Sequence, residues 1–377
     1  MRAEDETALP PLKAREDIQK ILLSTPTRFT GEFLSPDVIV THAWPPLYTG
    51  RQDWLRHQGS PLGRTALVLS FRTPPPTKAP GVIVPNYEAA GELVASVLSL
   101  LFGKRFDSHG PLEMSGHFGV PDLTLFNSPT DPTLPHNAEK VRADHPIPLV
   151  LSEIARILPL IVESQIDQRS GAAFHSAAKF YRQALTSIED DPEVAYLHLI
   201  TAGEIISGRI PFDEDQHFDD DLSEALRLIE SEMPEGKRIS NLLRSRLRGI
   251  KRRFVSTIVS MVDDQFFERR EAAHHFCALR RDDFRMRVAA AYDLRSQYVH
   301  TGYAFGRWIT LRHQNSEIQA GEPIVPDRNM QKVLYRAPLF GGLERIIRYV
   351  LLNFAVSLGA DLKNIDYKKE DKDISLS

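Results

Sequence analysis

Apolar positions change their rhythm near the middle of the chain. In the first part they come in short branched runs: Val38-Ile39-Val40-Thr41 and Ala66-Leu67-Val68-Leu69-Ser70-Phe71 read as strands, and Gly81-Val82-Ile83-Val84-Pro85 as a third. The linker TPPPTKAP between the last two excludes helix and central strand, because proline lacks the backbone donor. From Tyr87 to about Leu101 the spacing turns helical, with Leu93, Val94, Val97, Leu98 and Leu101 on one face. Irregular strands are expected from Leu112 to Phe126. The segment before Glu32 is polar and carries prolines, so it is expected to be loosely ordered with one short helix.

Beyond NSPTDPTLPHN (Asn127 to Asn137), a turn-rich stretch that predicts a domain boundary, almost every segment has helical period. The expected helices cover about Pro148–Ser164, Gly171–Ile188, Pro192–Ser207, Asp221–Met233, Ile239–Asp263, Phe266–Leu279, Asp282–His300 and Leu343–Leu358. Pro192 suits a first helical turn, and Gly208 and Gly302 suit helix ends. The predicted class is α+β, mainly α. A small α/β region over residues 1–135 precedes an all-α bundle over 140–365, and a charged tail, 366–377, is expected to fray.

Composition narrows this little. The chain has 377 residues, 42% of them hydrophobic and 25% charged, enough for two ordinary cores. Its net charge of −4 supplies no global field for nucleic acid or anionic lipid, so any phosphate binding needs a local patch. The single cysteine, Cys277, excludes an intramolecular disulfide and a multi-thiolate zinc site, which fits a reducing cytoplasm. The N-terminus MRAEDETALPPL lacks the apolar core of a signal peptide, and the longest apolar run, Leu93 to Gly103, is too short to span a bilayer. A cytoplasmic protein without a membrane partner is the expectation.

The strongest candidate chemistry lies in Tyr292-Asp293-Leu294-Arg295-Ser296-Gln297-Tyr298-Val299-His300-Thr301-Gly302. Arg295 offers a permanently charged fork for phosphate, and His300 a group able to accept and donate protons near neutral pH. Together they suffice for metal-free RNA cleavage. The His moves a proton at the 2′-hydroxyl or the leaving oxygen, and the Arg stabilises charge on the phosphoryl oxygens. Spacing alone proves nothing, since Arg269/His274 and Arg270/His275 repeat it. On a straight helix two residues five apart also point about 140° away from each other. They converge only if the helix ends or distorts, if the Arg wraps round, or if a second subunit completes the site.

The string YDLRSQYVHTG resembles the signature helix of HEPN domains, most closely the Apea-like group, in which an aromatic, a Leu-Arg pair, a spacer and His-x-Gly close a helix. The resemblance covers about Pro148 to Leu358, and only this short segment carries it specifically. It implies that Arg295 and His300 hold the cleft positions of a homodimeric, metal-independent ribonuclease. It also implies an acidic residue on an earlier helix facing the Arg, a place that Glu204 in AYLHLITAGEIISG can take. Many active members carry Asn, Asp or His after the Arg, where this chain has Ser296. The plainer alternatives are an Arg295 paired with a carboxylate, a His300 that only caps a helix, and a Glu204 on a polar helix face.

Lys237 to Arg253 holds eight basic residues and no acidic one, over a stripe of Leu243, Leu247, Ile250 and Phe254. Arg244, Arg248, Lys251 and Arg252 are the candidate RNA-backbone contacts. The alternative is a solvated helix neutralised by the acidic residues between Asp213 and Asp221. His274 and His275 beside Cys277 lack further ligands, so no metal and no cofactor is expected. The N-terminal region has no Gly-rich phosphate loop and no nucleophile elbow, and GHFGVPD reads as a turn. The leading expectation is an RNA endonuclease of the HEPN type, a homodimer acting in defence or stress. The rival is a non-catalytic binding or dimerisation module.

Overall fold

The computed structural model describes residues 17–43, 63–74, 87–114, 117–118, 121–126, 128–162, 166–211, 220–246, 249–310 and 315–362. The chain is α+β and mainly helical. It divides into two compact units, residues 1–190 with 352–377, and residues 191–351.

The first unit is built on a five-stranded sheet of order β2-β3-β4-β1-β5, with β1 Asp17–Thr25, β2 Phe33–Leu34, β3 Val38–His42, β4 Thr65–Thr73 and β5 Asp107–Pro111. All its pairings are antiparallel. β6 Glu113–Met114 and β7 His117–Phe118 form a separate two-stranded pair. The expected strands at Val38 and Ala66 are present as β3 and β4, whereas the Gly81–Pro85 strand lies outside the described residues. The loosely ordered segment before Glu32 requires correction. From Asp17 onward it is β1, paired along its whole length with β4 from Asp17↔Thr73 to Thr25↔Thr65. Its second half, Ile21-Leu22-Leu23-Ser24-Thr25, is buried on both faces, so no alternation of apolar and polar positions marks it.

Helix α1, Glu88–Phe102, follows the predicted period and ends at Gly103, whose φ of 60° closes it in the left-handed region. Gly91 lets it lie directly on the sheet: a Cβ there would sit 2.7 Å from Ile21 Cγ2. Helix α3, Gln168–Ser187, packs on α1, and Arg182 ties them by an ion pair to Glu92 and a 3.2 Å bond to Ser96 Oγ. The predicted helix over Pro148–Ser164 is instead a 3-10 stretch, Leu151–Ile157, followed by the short α2, Leu158–Ile161. Pro159 removes a backbone donor and crowds the preceding turn, so one continuous helix cannot form. The expected boundary at 127–137 also moves. Within the first unit, Glu189 accepts from the backbone N–H of Asp131 at 2.7 Å and from Asn137 Nδ2 at 3.1 Å, and the division falls after Asp190.

The second unit is helical: α4 Pro192–Ser207, α5 Asp220–Glu232, α6 Gly236–Arg246, α7 Ile250–Ser260, α8 Asp264–Glu268, α9 Phe284–Thr301, α10 Gly306–Ile309, α11 Arg328–Arg336, and α12 Phe340–Ser357 up to Leu351. The expected helix over Phe266–Leu279 stops at Glu268. Beyond it the chain is a loop held from afar by Glu317. The Glu317 carboxylate accepts the backbone N–H of Glu271 at 2.9 Å and of Leu279 at 2.8 Å. The fully buried Arg345 neutralises it at 2.8 Å and lies 3.8 Å from the centre of the Phe266 ring. Once paired and hydrogen-bonded, the buried charges are tolerable, and the loop keeps only a single 3-10 turn of its own, His275–Cys277.

Candidate functional site

Helices α4, α7 and α9 pack together and carry the site. Gly203 sets their spacing. A Cβ on it would fall 2.6 Å from Phe254 Cε2 and 3.0 Å from Ile347 Cδ1, so the residue beside Glu204 must be small for α4 and α7 to approach this closely. Arg253 of α7 fastens the other end of that contact. Its guanidinium donates to the carbonyls of Ser207 at 2.7 Å, and of Gly208 and Ile210 at 3.1 Å each, satisfying acceptors left over at the C-terminal end of α4.

Helix α9 buries Phe284, Val288, Ala291, Tyr292 and Leu294 and ends at Gly302. Gly302 has φ 68° and donates its N–H to the Tyr298 carbonyl at 2.8 Å. A Cβ there would touch nothing within 4 Å, so the requirement is for backbone conformation, not space. Two of α9's side chains meet Glu204 of α4. Tyr292 Oη donates to Glu204 Oε1 at 2.8 Å, and Arg295 Nη2 stands 3.6 Å from Glu204 Oε2. Tyr292 and Arg295 are three residues apart, hence on one face, and the guanidinium lies 5.6 Å from the Tyr292 ring centre. Burial, then the hydrogen bond to Glu204 and its charge, push the Tyr292 phenol up to about 12, so it remains a donor throughout the ordinary pH range. The Arg295 and Glu204 side chains are 29% and 19% exposed, so the cluster is reachable from solvent.

His300 is exposed in the last turn of α9, and the helix runs regularly through it to Thr301. No helix end or distortion turns it toward Arg295. Among the described residues no hydrogen bond joins it to Arg295 or Glu204. The structure therefore brings Glu204 and Arg295 together, adds Tyr292, and leaves His300 apart. In the sequence Tyr292 stands only as the aromatic that opens the signature string. The signal for its second role is its (i, i+3) spacing to Arg295.

The basic stretch is partly engaged. Lys251 Nζ is 2.6 Å from Asp293 Oδ1 on α9, and Arg253 is committed to the end of α4. Arg252 is exposed on α7. Arg244 falls on α6 with its side chain outside the described set, and Arg248 lies outside the described residues. So do Asp213 to Asp219 of the acidic run expected to neutralise the stretch. Asp293, two residues before Arg295, was not foreseen as a partner.

Among the described residues no group of three or more His, Cys, Asp or Glu side chains could hold a metal ion, and no helix is long and apolar enough to cross a membrane. Cys277 is buried, while His274 and His275 are exposed. No protein-family model, no curated protein and no solved structure matches the chain.

Proposed function

We propose that the second unit is a metal-independent RNA endonuclease of the HEPN type, acting as a homodimer in a defence or stress response. The observation that carries the reading is the partly exposed cluster of Glu204, Tyr292 and Arg295 on the α9 segment that resembles the HEPN signature. Glu204 holds the guanidinium in one place, which reduces the ordering that substrate binding would otherwise require. At a scissile phosphate Arg295 stabilises the charge that grows on the phosphoryl oxygens. His300 takes the proton from the ribose 2′-hydroxyl. The 2′-oxygen then bonds to phosphorus as the bond to the 5′-oxygen breaks, and that oxygen takes its proton from solvent water. A second copy supplies the His300 that faces Arg295, because within one chain the helix keeps them on different sides. RNA reaches the site past Arg252, with Lys251, Arg244 and Arg248 along the same basic stretch.

The rival, a non-catalytic binding or dimerisation module, draws on the same geometry: Arg295 already has a carboxylate partner and His300 stands apart. Incubating the full chain with single-stranded RNA in excess chelator separates the two. The proposal expects cleavage with chelator present, and a loss of about a hundredfold or more in His300→Ala and Arg295→Ala. An inactive wild type, or a His300→Ala variant that cleaves equally well, leaves the binding module standing.

A further inference from the structure

Helices α5 and α6 form a hairpin whose composition does not suit an isolated position. They pack on each other around a tight turn. A Cβ on Gly236 would lie 2.0 Å from the Ile229 carbonyl oxygen, and Ser240 Oγ donates to Glu230 Oε1 at 2.7 Å. Over residues 223–242 only Leu226, Gly236 and Ser240 are buried. Leu228, Met233 and Leu242 are 45%, 49% and 57% exposed, and Ile250 at the start of α7 is 64% exposed. Helices of 13 and 11 residues are marginal in water by themselves and take most of their stability from packing an apolar face. Among the described residues of its unit, little covers this hairpin.

Charge points to what covers it. α5 carries Asp220, Asp221, Glu224, Glu230 and Glu232 against the single Arg227. α6 carries Lys237, Arg238, Arg244 and Arg246 and no acid. One helix is thus at −4 and its neighbour at +4. A two-fold axis over such a hairpin lays each α5 on the other copy's α6, matching opposite charges at both contacts while the exposed Leu and Met side chains close between them. We infer that the α5–α6 hairpin is a self-association surface, forming a four-helix bundle with the same hairpin of a second copy. The inference stands on the hairpin alone and holds whether or not the protein cleaves RNA. A face about 20 Å long and two helices wide covers roughly 400 Å² per copy, about half of a standard interface. The hairpin by itself therefore supports a weak dimer whose population depends on protein concentration.

Charge reversal tests this on the full chain by sedimentation. Glu224→Lys with Glu232→Lys takes α5 from −4 to 0 beside an α6 that stays at +4. Lys237→Glu with Arg238→Glu takes α6 from +4 to 0 beside an α5 that stays at −4. The wild type is expected to dimerise. Each variant alone is expected to self-associate at least about tenfold more weakly, and their equimolar mixture to recover part of the association, because −4 then meets +4 again at one of the two contacts. Far-ultraviolet circular dichroism checks that the hairpin persists, and Leu242→Ser gives a second test that leaves its charges in place. A wild type that stays monomeric to high concentration overturns the inference. So does a dimer indifferent to both variants and to Leu242→Ser, or a mixture that fails to recover. Loss of RNA binding with no change in mass would make the hairpin an RNA-binding surface instead, and overturn it too.

Discussion

Tyr292 shows how one hydroxyl can set the geometry of a site. It donates to Glu204 at 2.8 Å and lies under the guanidinium of Arg295, so the carboxylate has one oxygen fixed by a neutral donor and the other facing a cation. Tyr292→Phe keeps the ring and its contact with Phe254 and removes only that donor. The expected cost is about 1 kcal/mol in urea unfolding, because the half-buried carboxylate oxygen loses its partner. The effect has a pH signature. The folded phenol titrates near 12, above its ordinary value of 10.0, so its share of stability is complete below pH 10 and is lost as pH rises through 12. The wild type's margin over Tyr292→Phe should therefore shrink between those limits. A margin that widens on going alkaline would mean that Tyr292 is not Glu204's donor.

At the scale of elements, two glycines do different work, and the difference can be measured. Gly203 is required by space and Gly302 by backbone conformation. Gly203→Ala pushes on Phe254, whose ring is 5.4 Å from Tyr292, so its overpacking cost of about 1–3 kcal/mol, partly offset by alanine's helix preference, couples to Tyr292. Gly302→Ala costs about 1–2 kcal/mol for the left-handed residue and leaves the cluster of Glu204, Tyr292 and Arg295 untouched. Combined with Tyr292→Phe, the first should deviate from additivity by more than about 0.5 kcal/mol and the second should not. Equal behaviour of the two pairs would contradict the packing described. The same scale shows what the chain discloses by itself. Helices α1, α3, α4 and α9 were legible because their period, caps and breakers are local. The Glu204–Arg295 pair was anticipated through the resemblance. β1 was missed because half of it is buried on both faces. The loop after α8 reads as helix because what shapes it, Glu317 and behind it Arg345, comes from 46 and 76 residues farther along. The Lys251–Asp293 pair was hidden for the same reason, since sequence shows a charge but not its distant partner.

For the molecule as a whole, the question is how many positive charges remain for RNA on a chain of net charge −4. Eight basic residues between Lys237 and Arg253 suggest a long backbone track. Lys251 is paired with Asp293 and Arg253 caps α4. If α6 lies against a second copy's α5, Lys237, Arg238, Arg244 and Arg246 are engaged as well. Under the proposed function the contacts to RNA from that stretch are then the exposed Arg252 and its sequence neighbour Arg248, with Arg295 at the site. Single-stranded RNA binding releases about 0.7 counterion per phosphate neutralised, so the slope of log affinity against log salt should be about −2, against about −6 if all eight residues met phosphate. Arg252→Ala should weaken binding and flatten the slope by roughly 0.7, leaving the dimer intact. A slope near −6, together with a full loss of binding in the Lys237→Glu, Arg238→Glu variant, would place the RNA on α6 and remove the hairpin from the dimer. A slope near −2 that the same variant leaves unchanged assigns α6 to the second copy and the RNA to the neighbourhood of Arg252 and Arg295.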